Sequence, residues 1–142
     1  MRIWLACQLL LVATVLGGAF GCGQNIDGFT YQPVSGRVTV NGQPQTGLKV
    51  VFVPQNGRLE SGRPSVGVTN EEGLYELKTL DGLTGAAVGD HLVSISSEEI
   101  DPDTQAVVRS ERIPARYNAN TELRFSVPPN GTEQADFSIA LR

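Results

Sequence analysis

From Val34 to the end of the chain, apolar and polar residues alternate with a period of two. Val34, Gly36, Val38 and Val40 alternate with Ser35, Arg37, Thr39 and Asn41, the pattern of a strand with one buried face. Asn41-Gly42 and Gln43-Pro44 then break it. Leu48–Val53 is apolar on both faces apart from Lys49, as expected of a central strand, and Pro54 ends it. Asn56–Pro64 reads as a loop. Ser65–Thr69 and Leu74–Leu80 flank Asn70-Glu71-Glu72-Gly73, which predicts a hairpin with Gly73 at a positive-φ position.

A Gly-rich turn, Asp81–Gly89, precedes His91–Ser96, where His91, Val93 and Ile95 share one face. Glu98–Arg112 is charged and irregular, the longest loop candidate and therefore the candidate functional loop. Ile113-Pro114 restarts order. Leu123, Phe125 and Val127 alternate, Pro128-Pro129-Asn130-Gly131 turns the chain, and Ala135, Phe137, Ile139 and Leu141 alternate to the end. No stretch carries a helical period. About seven short strands at this spacing predict an all-β antiparallel sandwich.

The first residues follow another pattern. Ile3–Phe20 is uncharged, with Arg2 just ahead of it and Gln8 and Thr14 as its polar interruptions. Its length is near the lower limit for a spanning helix, so a transmembrane anchor stays open on length alone. The strongest apolar run is only Leu9–Leu16, however, and Gly17, Gly18 and Ala19 follow at once. That order points to a secretory signal peptide, a helical leader over residues 1–21.

Leu16-Gly17-Gly18-Ala19-Phe20-Gly21-Cys22 resembles a bacterial lipoprotein signal, with Gly21 in the small position before the Cys. Ala19 stands where that pattern prefers Leu, and Phe20 is bulkier than usual. The resemblance implies a diacylglyceryl thioether on Cys22. The alternative is ordinary cleavage after the small-x-small site Ala19-Phe20-Gly21, which leaves Cys22 as a free N-terminal thiol. Two or more acyl chains anchor a protein stably where one binds only marginally, so a lipidated Cys22 is expected to be membrane-bound. The expected location is the cell envelope, at the outer membrane or periplasmic face.

Removing residues 1–21 leaves 121 of 142 residues, enough for one domain. The expected organisation is a signal peptide over 1–21, a tether over 22–33 and one β-sandwich over 34–142. The polar stretch Gly23–Pro33 would have a root-mean-square reach of roughly 18 Å if fully flexible, with Phe29 and Tyr31 as residues able to dock on the body. The net charge moves from −4 to −5 because Arg2 leaves with the leader. An acidic domain without a Lys/Arg stripe is a poor nucleic-acid binder. Cys7 leaves too, so no cysteine pair remains to form a disulfide, and the body must rest on its core.

Val34-Ser-Gly-Arg-Val-Thr-Val-Asn-Gly-Gln-Pro44 followed by Leu48-Lys-Val-Val-Phe-Val-Pro54 resembles the opening strands of carboxypeptidase-regulatory-like, or transthyretin-like, domains. Thr69-Asn-Glu-Glu-Gly-Leu-Tyr75 is similar to their Thr-Asp-x-x-Gly-x-aromatic hairpin, with Asn70 in the usual Asp position. Gly89-Asp-His-Leu-Val-Ser-Ile95 looks like their next strand. Ile113-Pro-Ala-Arg-Tyr117 with Thr121-Glu-Leu123 is similar to a segment of small planctomycete-type lipoproteins of this class. The likeness covers about Val34–Leu141. It implies a Greek-key, prealbumin-like β-sandwich of about seven strands on a lipoprotein anchor, and it implies no activity.

No catalytic set emerges. Hydrolytic members of the transthyretin-like group rely on a cluster of His and Arg, and His91 is the only histidine. Its phase with Val93 and Ile95 predicts a packed structural role, and no further ligands are spaced to make a metal site with it. Ser65 in Arg63-Pro64-Ser65-Val66-Gly67 lacks the first Gly of a nucleophile elbow, and no helix follows it. Glu98, Glu99, Asp101 and Asp103 carry oxygen ligands suited to Ca²⁺, but without a Gly-centred loop, and Pro102 stiffens them. A solvated acidic loop is the simpler reading there, and again at Asn70, Glu71 and Glu72. A Lys–Asn isopeptide crosslink would need an Asn in the last strand opposite Lys49, and Ala135–Leu141 has none. Tyr31, Tyr75 and Tyr117 are the aromatics left for sugar stacking once Trp4 departs, the last two reading better as core or corner residues. Asn130-Gly131-Thr132 is a glycosylation sequon that reads as a turn.

The sequence therefore predicts a membrane-tethered β-sandwich without a cofactor, used for binding or structure. The alternatives are a carbohydrate- or calcium-binding module and a transthyretin-like hydrolase.

Overall fold

A computed structural model describes residues 23–55 and 62–142. The leader, Cys22 and residues 56–61 of the Asn56–Pro64 loop lie outside the described residues.

Period-two patterning becomes structure most directly in strand β5 (Lys49–Pro54), where Val50, Phe52 and Pro54 are buried and Lys49, Val51 and Val53 point outward. Its outer face is only partly covered, Val53 being 39% exposed, so the apolar run marks a central position and not two buried faces. Strands β1 (Gln24–Ile26), β2 (Phe29–Gln32), β3 (Ser35–Val40) and β4 (Gln43–Pro44) precede it. Next come β6 (Ser65–Val68), β7 (Leu74–Glu76), β8 (Lys78–Thr79), β9 (Ala86–Ala87) and β10 (Gly89–Ser96). The chain closes with β11 (Glu99–Ile100), β12 (Val107–Arg109), a short 3₁₀ turn at Ala115–Tyr117, β13 (Arg124–Val127) and β14 (Phe137–Ile139). The described residues are all-β.

One sheet has the antiparallel order β13-β10-β5-β6-β8. The other is centred on β3, which pairs with β14 on one side and with β4 and β7 on the other. The β3–β14 pair is parallel, against the expectation of a purely antiparallel sandwich. The reason is topological: β13 ends beside the start of β10, so β14 sets out from the same end of the body as β3. Gly36 makes this contact possible, since a Cβ there would sit 2.0 Å from the Ala135 carbonyl oxygen. Tyr75 seals it by donating its hydroxyl to that same oxygen at 2.6 Å, and burial, with Asp136 nearby, pushes the Tyr75 pKa up.

The inner faces meet in one core. Phe52 lies against the rings of Phe125 and Phe137 at 5.6 and 6.1 Å, and Val38, Val50, Leu77, Val93 and Ile95 are fully buried around them.

The tether expected over 22–33 is a correction. Gln24–Ile26 and Phe29–Gln32 form an antiparallel hairpin, and β2 adds β9 as a third strand. Tyr31 is 1% exposed and its hydroxyl accepts the Arg63 amide at 2.8 Å. Arg63 also pairs with Asp27, in the hairpin turn, at 2.6 Å and with Asp81. Polar composition reads as a linker because Tyr31 is the one large apolar side chain of the hairpin that is buried; its docking is the legible part. Among the described residues the folded body therefore includes the 23–33 stretch and not only Val34 onward.

Two further expectations need refinement. The turn after β6 forms as read, with Gly73 at φ +74° and the Asn70 amide on the Leu74 carbonyl. Yet Leu74–Glu76 joins β3 in the other sheet, and only Lys78–Thr79 pairs back onto β6. Leu77, fully buried, sits at the switch between them. The stretch Glu98–Arg112 is not irregular throughout, because β11 and β12 pair as a hairpin.

The body has two distinct ends. Strand β10 spans about 24 Å between them, from seven steps of roughly 3.4 Å. The N-terminal hairpin, β9 and the Leu80–Gly82 turn lie at the end where β10 starts; the Asn70–Gly73 turn, the β11–β12 hairpin and the C-terminus lie at the other.

Candidate functional site

His91, the residue with the strongest claim to chemistry, is fully buried on the inner face of β10 with its ring 5.5 Å from Phe52. Its Nδ1 lies 2.9 Å from the Gly89 carbonyl, which can only accept, so Nδ1 carries the proton and Nε2 presents a lone pair. Nε2 is buried without a partner. Burial lowers the pKa, and the Gly89 carbonyl and the nearby Asp90 charge only partly oppose it. A neutral imidazole in an apolar core has no route to a substrate. Ser65 is equally buried, lies opposite Phe52 in the ladder, and has an unpartnered Oγ. Among the described residues no group of three or more His, Cys, Asp or Glu is placed to hold a metal ion.

Three acidic residues of the 98–112 segment, Glu99, Asp101 and Glu111, are occupied in building a hairpin. Glu99 pairs with Arg109 across it. The Asp101 carboxylate accepts the Thr104 amide at 2.8 Å and the Asp103 amide at 2.9 Å, and these bonds lower its pKa. At the base, Glu111 accepts five hydrogen bonds: from the Ser96 hydroxyl, the Ser97 amide and hydroxyl, and the Arg112 and Ile113 amides. Partial burial would raise the Glu111 pKa, but the bonds from Ser96, Ser97 and Ile113 outweigh it and bring the group down to about 2. Glu111 thus clamps both feet of the hairpin to the end of β10.

What the clamp holds out is apolar. Val107 and Val108 are 56% and 63% exposed, and Ile100 is 47% exposed. Consecutive strand residues point to opposite faces, so two exposed valines in a row mean that the body covers neither face of β12. Val68, Lys49, Gly47, Ile100 and Arg109 line a groove of about 250 Å³ at its root. Val68 also borders, with Leu74, a shallow cleft of about 580 Å³ where β7 departs from β6. Of the eight large apolar side chains that are exposed among the described residues, six (Val68, Leu74, Ile100, Val107, Val108, Leu141) belong to this end of the sandwich. Soluble domains scatter such residues singly, and a concentration of them marks an interaction surface.

The remaining sites predicted from sequence disperse. Tyr31 and Tyr75 are buried, and Tyr117 is half-covered with the Arg116 guanidinium 4.7 Å above its ring. They form no stacking platform. Asn70 turns its side-chain oxygen to the Glu72 and Leu74 amides, so it serves the turn. Cys22 lies outside the described residues. The Glu111 clamp is not legible in the sequence, where its only signal is an acid fourteen residues after the Ser96-Ser97 pair.

No family model, curated protein or solved structure matches the chain.

Proposed function

We propose that this chain is a cell-envelope lipoprotein, anchored through a diacylglyceryl group on Cys22, whose β-sandwich binds a partner non-catalytically through the end opposite its N-terminal hairpin. The observation that carries the reading is the β11–β12 hairpin, held rigidly by Glu111 while Ile100, Val107 and Val108 face solvent. A rigid apolar projection keeps the ordering cost of binding low, which favours affinity. The sandwich is of the Greek-key, prealbumin-like type; sheet order β13-β10-β5-β6-β8 over a β3-centred sheet supports it.

The alternatives draw less support. Hydrolysis would need His91, whose Nε2 is shut in the core. Calcium binding would need Glu99 and Asp101, which are engaged with Arg109 and with backbone amides. Glycan stacking would need open aromatic faces. A photo-crosslinking side chain at Val108 in intact cells is expected to give a discrete protein adduct, with none from the same group at Ser126 on the outer face of the five-stranded sheet. Equal labelling at both positions, or none at either, would contradict a distal binding surface.

A further inference from the structure

The ordered N-terminal hairpin sets how the body stands relative to its anchor. Gly23 already packs into the fold, since a Cβ there would meet the Gln32 side chain at 2.5 Å and Thr30 at 3.0 Å. Gln24 is the first residue of a β-ladder, opposite Tyr31, which is buried. One residue therefore separates Cys22 from the sheet, and two Cα steps cover at most about 7 Å. The interfacial layer on each side of a bilayer is roughly 5–8 Å deep. A body joined so closely to acyl chains has no slack with which to swing away.

We infer that the sandwich sits directly on the lipid surface, with its N-terminal end facing the headgroups and the β11–β12 hairpin held about 24 Å further out. This rests on the reading that Cys22 is lipidated. Three features of the inner end fit a lipid surface as the occupant. Arg63 bridges Asp27 and Asp81, which places the Leu80–Gly82 turn beside the hairpin. Leu80, next in the chain to Asp81, is 85% exposed, the most exposed large apolar side chain among the described residues. The turn is closed by the Gly82 amide on the Thr79 carbonyl and the Leu83 amide on the Thr79 hydroxyl. Asp27 and Asp81 together exceed Arg63 in charge, so attraction to anionic lipid has no part in the proposal, which takes a zwitterionic surface reached through the covalent anchor. The consequence for function is directional: the distal apolar end can only engage partners standing off the membrane.

The test uses the full chain expressed with its leader, purified from membranes and reconstituted in phosphatidylcholine vesicles. The mass of the N-terminal peptide is read first. Leu80→Trp and Val108→Trp variants are then compared in vesicles whose lipid is brominated near the headgroup end of the acyl chains. The expected result is quenched, blue-shifted emission from the Leu80→Trp protein and unquenched emission from the Val108→Trp protein. Inserting twelve Gly/Ser residues between Gly23 and Gln24, a flexible reach of roughly 19 Å, should abolish the quenching. In the unsubstituted protein, amide exchange at Leu80 and Asp81 should slow on reconstitution and recover in the spacer variant. A peptide without lipid would overturn both the anchor and this orientation. A lipidated peptide with equal emission from the two variants, or with quenching and exchange indifferent to the spacer, would overturn the orientation alone.

Discussion

Phe52→Ala is the substitution that weighs most on the body. The ring is fully buried in the central strand and touches the rings of His91, Phe125 and Phe137, so it joins both sheets. Truncating a buried Phe costs about 3–5 kcal/mol, because the cavity left behind closes only partly. The neighbouring aromatic pairs add about 0.5–1.5 kcal/mol each beyond area burial. Folding stabilities of 5–15 kcal/mol are typical, so the loss is a large share of what holds the fold. Residues 23–142 contain no cysteine, so no disulfide within them offsets it. With an unfolding entropy of about 2.1 cal/mol/K per residue, the 120 residues from 23 to 142 give roughly 0.25 kcal/mol/K, and the loss becomes a fall in Tm of about 12–20 °C. Differential scanning calorimetry of both proteins reads this directly. A Tm within about 4 °C of the parent would refute a single core centred on Phe52.

Other outcomes follow from particular contacts. Because burial lowers the folded-state pKa of His91 below its ordinary 6.5, the unfolded chain binds the extra proton. Stability is therefore full above pH 6.5 and is lost as pH falls toward the folded-state value, a slope that chemical denaturation at stepped pH should show and His91→Phe should flatten. Glu111 has its folded pKa depressed from 4.5 to about 2, so its contribution is present above pH 4.5 and fades between those values. Glu111→Ala should speed amide exchange at Ser97 and Ile113 while moving the global Tm less than Phe52→Ala does. Tyr75→Phe leaves the buried Ala135 carbonyl unpaired by any hydroxyl and should cost about 1–3 kcal/mol in urea denaturation. Gly36→Ala drives a methyl group into that same carbonyl and should cost at least about 1–3 kcal/mol, with β14 displaced.

Much of the fold was legible because a one-sided strand writes its buried face into the sequence. Val38, Val50, Phe52, Val93 and Ile95 follow that alternation and are all fully buried. His91 declared its place the same way, through its phase with Val93 and Ile95. The failures share a cause: contacts distant in sequence. The hairpin over 24–32 holds by one buried Tyr and by Arg63, more than thirty residues downstream. The switch at Leu77 depends on β3 competing with β6 for one strand, which alternation cannot reveal. The candidate surface was half-read. The charges of Glu98–Arg112 mark the segment, but Glu99, Asp101, Arg109 and Glu111 pin the hairpin in place, and it is the exposed Val107 and Val108 beside them that form the surface.

The measurement closest to the central claim is intact-mass and fragment analysis of the N-terminal peptide from the protein in its native cell. The account predicts a chain that starts at Cys22 and carries a diacylglyceryl group on sulfur. A chain that starts at Met1, or at an unmodified Cys22, would contradict it.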